Sequence, residues 1–211
     1  MKKYIPLFLI AFLQINFTSI KAQTYHPFPT DSAQWSVRHT IGSPWSQFSY
    51  QYKMEGDTVI NGITYHKIYY SLDLYYGSPN ETLHCFLRED TTKKVFLKYP
   101  TSSGVDTTEF MLYNFNLNVG DTVTIKLFYP TDSLFKLIVV HIDSTLLLTG
   151  YRRFIGLGAL TLMWDGGCDN SIAWVEGMGC TYSQLYNEIP QGGCWEQGYD
   201  LTCFWEKGVY V

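Results

Sequence analysis

The chain of 211 residues contains no apolar run approaching the roughly 20 residues that a membrane-spanning helix needs. Charge is scarce too. Asp, Glu, Lys and Arg make up 16% of the residues, against 46% hydrophobic, which excludes an intrinsically disordered chain. Gly-x-Ser-x-Gly, His-Glu-x-x-His and Gly-rich phosphate loops are all missing, so the hydrolase, metalloprotease and nucleotide-binding classes they mark have no support here. Cysteine numbers five, without Cys-x-x-Cys or Cys-x-x-His spacing, and the five histidines, His26, His39, His66, His84 and His141, show no ligand spacing either. No metal or cofactor is expected. Amphipathic helices are absent as well: no window pairs an i, i+3, i+4, i+7 apolar stripe with capping residues, and Thr181 to Ile189 offers at most one or two turns before Pro190.

The first 22 residues are of a different kind. Lys2 and Lys3 form a basic start, an apolar run from Tyr4 to Leu13 follows, and the segment closes at Ile20-Lys21-Ala22. That order predicts a secretory signal peptide over residues 1–22, cut between Ala22 and Gln23, with one β-rich domain over 23–211. No Cys follows the cut, so a lipid anchor is not expected, and no transmembrane segment remains after cleavage. The mature part carries twelve basic and nineteen acidic residues, a net charge of about −7. An acidic surface argues against nucleic acid and against binding an anionic membrane by charge alone. Export also makes disulfides permissible, and four cysteines fall near the C-terminus. Cys194 with Cys203 and Cys168 with Cys180 are the expected bridges, each pair being close in sequence beside Gly-rich turns. Cys85 alternates with Leu83 and Leu87 and reads as a small buried hydrophobe on a strand.

Tyr is as abundant as Gly, 17 of each, and aromatic residues favour pleated, half-buried surfaces. Strand patterns dominate. Phe48, Tyr50, Tyr52 and Met54 alternate with polar residues, and Gly56-Asp57 is expected to end that strand in a turn. Asn61-Gly62 between Thr58-Val59-Ile60 and Ile63-Thr64-Tyr65 predicts a hairpin with positive φ at both central positions. A second hairpin is expected from Leu83–Leu87 and Val95–Tyr99, and strands over Phe110–Leu117 and Thr122–Phe128. The nearly unbroken run Leu134 to Ile142 predicts a central strand buried on both faces, and Thr145–Leu148 and Tyr151–Ile155 follow around Gly150. About ten strands result. They describe an all-β antiparallel meander forming a curved sheet, an up-and-down barrel or a sandwich, with a disulfide-stapled C-terminal segment.

Candidate chemistry is sparse. His141 and Asp143 share a strand face beside Ser144, an arrangement that could orient a base but that commonly marks a strand end reaching water. Asp165 to Asn170 packs three oxygen-bearing side chains into a Gly-rich loop, which suits either a hard cation or an ordinary turn. Trp174 and Glu176, in Trp174-Val175-Glu176-Gly177-Met178-Gly179-Cys180, are candidate ligand-contacting residues in what otherwise reads as a tight corner.

That corner joins three other segments: Gly56 to Lys67, Arg88-Glu89-Asp90, and Asn114 to Thr122. In this order they resemble a broad group of uncharacterised exported proteins of Bacteroidota. Cys194 and Leu201-Thr202-Cys203-Phe204 are similar to that group's closing segment, where two cysteines precede a final strand. The resemblance implies export and a β-rich fold, and transfers no catalytic residue. Members often carry a C-terminal sorting domain for type IX secretion, and this chain stops at Val211, about where one would begin. The expected destination is therefore extracellular, cell-surface or periplasmic.

Three functions fit these observations. The first is a non-enzymatic module binding a small apolar or glycan ligand through an aromatic-lined sheet. The second is a structural or adhesive surface domain without a small ligand. The third is a hydrolase whose site is assembled from distant residues such as His141, Asp143 or Glu176. A cluster of aromatics lining one concave face would favour the first.

Overall fold

The computed structural model describes residues 24–41, 47–73, 81–102, 104–106, 108–127, 133–159, 172–181 and 197–211. The described residues form fifteen strands: β1 (Ala33–Ile41), β2 (Gln47–Ile60), β3 (Ile63–Asp73), β4 (Thr82–Glu89), β5 (Lys94–Lys98), β6 (Pro100–Thr101), β7 (Gly104–Val105), β8 (Phe110–Asn114), β9 (Thr122–Leu127), β10 (Ser133–Leu147), β11 (Gly150–Ala159), β12 (Ile172–Val175), β13 (Gly179–Cys180), β14 (Gln197–Glu206) and β15 (Val209–Tyr210). The expected all-β antiparallel architecture is present. The count exceeds the expected ten because four two-residue strands, β6, β7, β13 and β15, are too short to leave a period-two pattern.

Two curled antiparallel sheets share one hydrophobic core. The larger has the order β15-β14-β1-β2-β3-β4-β5-β8, the smaller β13-β12-β11-β10-β9, and β6-β7 forms a separate ribbon. Within each sheet successive strands pair as in a meander, except that β5 skips the β6-β7 ribbon to pair with β8 and that the C-terminal strands close the large sheet. β14 returns from the far end of the chain to lie against β1, with Trp205 opposite Gln34 and Tyr199 opposite His39. The sheets also approach each other at their edges. Leu201 N of β14 donates to Thr181 O just after β13, at 3.2 Å, and the Lys126 ammonium of β9 sits 4.2 Å above the Phe110 ring of β8.

The core explains this arrangement. Trp35 of β1, Tyr113 of β8, Trp174 of β12 and Phe204 of β14 are all essentially inaccessible to solvent. The polar tips of Trp35 and Tyr113 are met across the interior. Trp35 Nε1 donates to Met178 O at 2.8 Å and Cys180 N donates to the Tyr113 hydroxyl at 3.2 Å. Tyr113 meets Trp174 edge-on at 5.4 Å between centroids. Each such ring contributes roughly 2–3 kcal/mol of burial, and the bonds at Trp35 and Tyr113 avoid the cost of an unmet polar atom in the interior. Cys85 is buried on β4 as expected, and burial pushes its thiol pKa far up, so it behaves as a hydrophobe; the alternation with Leu83 and Leu87 does not hold, because Leu83 is exposed and Phe86 is buried between Cys85 and Leu87.

Several expectations need correction. Gly56-Asp57 does not end β2. Glu55 and Gly56 bulge out between the pairs Met54–Ile68 and Asp57–His66, and Gly56, at φ +72°, lets the strand run on to Ile60. β10 is not buried on both faces: Leu137 and Val139 enter the core, while Leu134 is 73% and Val140 50% exposed. The strand packs on one side only and carries apolar residues on its wet side too, which hides the alternation. β8 ends at Asn114, and Asn118 to Asp121 folds into a turn held by Asp121 N to Asn118 O and by Asn118 N to the Asp121 carboxylate. No disulfide staples the described C-terminal residues. Cys85, Cys180 and Cys203 form no bridge with one another, and Cys168 and Cys194 lie outside the described residues. What holds this segment is the ladder from β14 to β1 and the insertion of Phe204 beside Trp35, with centroids 5.2 Å apart.

Candidate functional site

Along β1 to β5, between register shifts in β1, β2 and β4, every second residue points into the curl of the large sheet. At the end of the sheet where β2 begins and β3 ends, the inward positions are aromatic and polar instead of aliphatic. Tyr50 and Tyr52 of β2, Tyr70 of β3, His39 of β1, His84 of β4 and Tyr99, just beyond β5, form a continuous chain of rings. Centroid distances are 5.8 Å from His39 to Tyr50, 5.6 Å from Tyr50 to Tyr70 and 5.4 Å from Tyr52 to Tyr70. His84 then lies 5.4 Å from Tyr52, 5.7 Å from Tyr70 and 6.2 Å from Tyr99.

Register puts these rings together. Tyr52 faces Tyr70 directly across the β2–β3 pair. Ile68 pairs with Cys85 and Tyr69 with Leu83, so the register steps past His84 and turns it onto the inner face. Tyr52 and His39 are buried, while Tyr50, Tyr70, His84 and Tyr99 are half-buried. The cluster thus grades from the sealed core to partly open ring surface.

Its electrostatics are those of a neutral site. Burial lowers the pKa of His84 to about 4 and lowers that of His39, and no charged group among the described residues contributes to either shift. Burial, followed by the neighbouring Tyr50 hydroxyl, raises the pKa of Tyr70. All these side chains are uncharged at neutral pH. His39 Nδ1 and the Tyr50 hydroxyl are hydrogen-bonded at 3.1 Å. Such a surface offers flat apolar faces with hydroxyl and imidazole groups at their edges, suited to an uncharged ligand that itself has apolar faces and polar edges.

The candidates read from the sequence lie elsewhere. Trp174 is fully buried in the core against Tyr113. Glu176 is buried at the opposite end of the molecule, in the turn after β12, where its N–H donates to Arg153 O and its carbonyl accepts from Arg152. Around it, Tyr25 donates to the Glu89 carboxylate, Phe28 N donates to the same group at 2.8 Å, and the Lys93 ammonium lies 4.3 Å above the Tyr25 ring. Burial, then the nearby Asp90 and Glu176 charges, raise the Glu89 pKa against these hydrogen bonds. A groove of about 270 Å³ lined by Pro27, Pro29, His66 and Arg88 runs beside this strap.

His141 stacks on Phe154 at 5.6 Å on the outer face of β10–β11, and the Asp143 carboxylate accepts from Ser144 N. Asp165 to Asn170, Cys168 and Cys194 lie outside the described residues, as does most of Thr181 to Ile189. No cluster of three or more His, Cys, Asp or Glu positioned for a metal occurs among the described residues. The ring cluster itself was missed in the sequence. The alternation of Tyr50 and Tyr52 was visible, but its joining to Tyr70, His84 and Tyr99 depends on strand register.

No protein-family model matches the chain, and no curated protein matches it. Among solved structures, the chain is similar to one from Parabacteroides distasonis, of the Bacteroidota, described as a "putative lipoprotein". That alignment covers 85% of this chain and 98% of the other, at 11% identity and a TM-score of 0.37. By its own geometry, the molecule is an all-β protein of two curled antiparallel sheets, with a cluster of aromatic and imidazole rings at one end and the N-terminal strap at the other. No helix among the described residues is long and apolar enough to cross a membrane.

Proposed function

We propose that this protein is a non-enzymatic module of the exported compartment that binds a small neutral saccharide at the ring cluster of Tyr50, Tyr70, His84 and Tyr99. Residues 1–22 act in this reading as the secretory signal, and the remainder works as one binding domain. The observation that carries it is the continuous run of half-buried aromatic and imidazole rings at one end of the inner face, without a described charge among them. Sugar rings present C–H faces that stack on aromatic rings, and hydroxyls that need donors and acceptors at the rim; Tyr hydroxyls and neutral imidazoles supply both. A fatty acyl chain would leave those rim groups unmatched, and an anionic ligand would find no cation among the described residues of the cluster.

Calorimetric titration of the exported protein against neutral gluco-, manno- and xylo-oligosaccharides tests this. Binding by one of these series, weakened about tenfold by Tyr70→Ala, supports the reading, since a stacked ring contributes about 0.5–1.5 kcal/mol beyond its buried area. Failure of all three series, with binding of a medium-chain fatty acid instead, would replace the saccharide with an apolar ligand at the same rings.

A further inference from the structure

Trp35, Tyr52, Ile68 and Phe204 turn into the core, so the residues beside them turn out. Register lines four of these up across the outer face of the large sheet. Trp205 of β14 lies opposite Gln34 of β1, Gln34 opposite Lys53 of β2, and Lys53 opposite Tyr69 of β3. Neighbouring strands sit about 4.8 Å apart, so the row sets two aromatic residues about 14 Å apart with an amide and an ammonium between them.

At its Trp205 end the row meets a groove of about 380 Å³. The backbone builds it. Glu55 and Gly56 bulge from β2 on one side, and the β14–β15 turn passes through Gly208 on the other, with the two glycines at φ +72° and +75°. Trp205 is half-buried, and Tyr210 packs edge-on against it at 5.7 Å, which fixes the plane of the indole. Polar groups of both kinds stand around that ring. Gln34 donates one N–H to Gln51 at 3.2 Å, and its amide has a further N–H and an acceptor oxygen. Lys53 and Glu55 pair at 2.5 Å and cancel each other's charge, and Asp31 adds a carboxylate at the rim.

We infer that this groove and row bind a neutral oligosaccharide chain, with one sugar stacked on the Trp205 indole and the chain crossing β1 and β2 towards Tyr69. A sugar presents C–H faces to a ring and needs donors and acceptors together at its edges. The groove supplies one fixed ring, an amide and a balanced ion pair. An acyl chain would find little apolar surface beyond the indole and would strip water from the Lys53–Glu55 pair. An anionic chain would meet Asp31 and Glu55. The site stands without the ring cluster: Tyr69 and Tyr70 point to opposite faces of β3, so the cluster occupies the inner side of the sheet and this row the outer side.

Indole NMR during titration with neutral gluco-, manno- and xylo-hexasaccharides tests the inference. The exported protein carries Tyr70→Ala in this experiment, to disable the ring cluster. In one series the Trp205 Nε1–H signal is expected to move with saturation, while the buried Trp35 and Trp174 indoles stay fixed. Trp205→Ala should weaken calorimetric binding about tenfold. Gln34→Ala, which leaves the indole and the core in place, should weaken it about fivefold. Tyr69→Ala should weaken the hexasaccharide and not the disaccharide of the same series, because only the longer chain spans the row. A Trp205 signal that no series moves overturns the inference, whatever happens at the ring cluster in the wild type. So does an affinity that neither Trp205→Ala nor Gln34→Ala changes, which would place the sugar elsewhere.

Discussion

The His84 imidazole meets the Tyr52 ring at 60°, with centroids 5.4 Å apart, and this contact joins the sealed core to the half-open aromatic end. It also fixes how stability depends on pH. An unfolded histidine titrates near 6.5, whereas burial lowers His84 in the folded protein to about 4. Between those values the unfolded chain binds the extra proton. The stability that neutral His84 contributes is complete above about pH 6.5 and is lost as the pH falls towards 4, by up to about 3 kcal/mol. Denaturant midpoints at pH 7 and pH 5 should separate for the wild type and draw together in His84→Gln. An unchanged slope in that variant would assign the effect to other groups.

The N-terminal strap should behave as part of the fold. Phe28 is buried, stacked on Trp35 at 5.8 Å and close to Tyr113 at 6.0 Å, and Glu89 accepts both its N–H and the Tyr25 hydroxyl. Phe28→Ala is expected to cost about 3–5 kcal/mol. Glu89→Ala strands two donors and should cost about 2–4 kcal/mol. Hydrogen exchange at the Phe28 amide reads this directly: protection like that of the wild type in Glu89→Ala would mean that the carboxylate does not hold the strap.

Two glycines with similar backbone angles should respond differently to alanine. Gly62, at φ +79°, has nothing within 4 Å of an added Cβ, so Gly62→Ala carries a conformational cost of only about 1 kcal/mol. Gly177, at φ +72°, would place its methyl 2.5 Å from Arg152 Nη1 and 3.0 Å from Pro27 O. Gly177→Ala must also shift a buried guanidinium bonded to Glu176 O, and about 3 kcal/mol or more is expected. Equal losses in urea unfolding would contradict the packing described for this corner.

The Asn61-Gly62 turn offers a test of register. Both residues have positive φ, 53° and 79°, as the sequence predicted. Replacing them with Val-Val should lower stability by about 2–3 kcal/mol, since β-branched side chains resist that region. A melting temperature equal to that of the wild type would mean that the hairpin can turn elsewhere.

Local chemistry was legible in this chain, and long-range pairing was not. The alternation over Phe48 to Met54, the Asn61-Gly62 turn and the β4–β5 hairpin all follow from residues within a few positions of one another. The β2 bulge has the sequence of a turn, because Gly56 signals positive φ without saying whether the strand resumes. The pattern of β10 predicts double burial because Leu134 and Val140 are apolar yet exposed. The pairing of β14 with β1 spans nearly the whole chain, and nothing in either strand's pattern names its partner. The ring cluster shares that difficulty: five elements supply it, and only the step in register at His84 brings the imidazole inward. The expected bridges to Cys180 and Cys203 rested on sequence proximity, and their partners lie outside the described residues.

Histidine-selective NMR during titration with the neutral oligosaccharides tests the binding site most directly, because the five histidines sample different parts of the molecule. The account predicts that the imidazole signals of His84 and His39 move with saturation, while those of His141, on the outer face of β10, and His66, bonded to Asp57 on the far half of β3, stay fixed. Saturable shifts at His141 or His66 with His84 and His39 unmoved would contradict it.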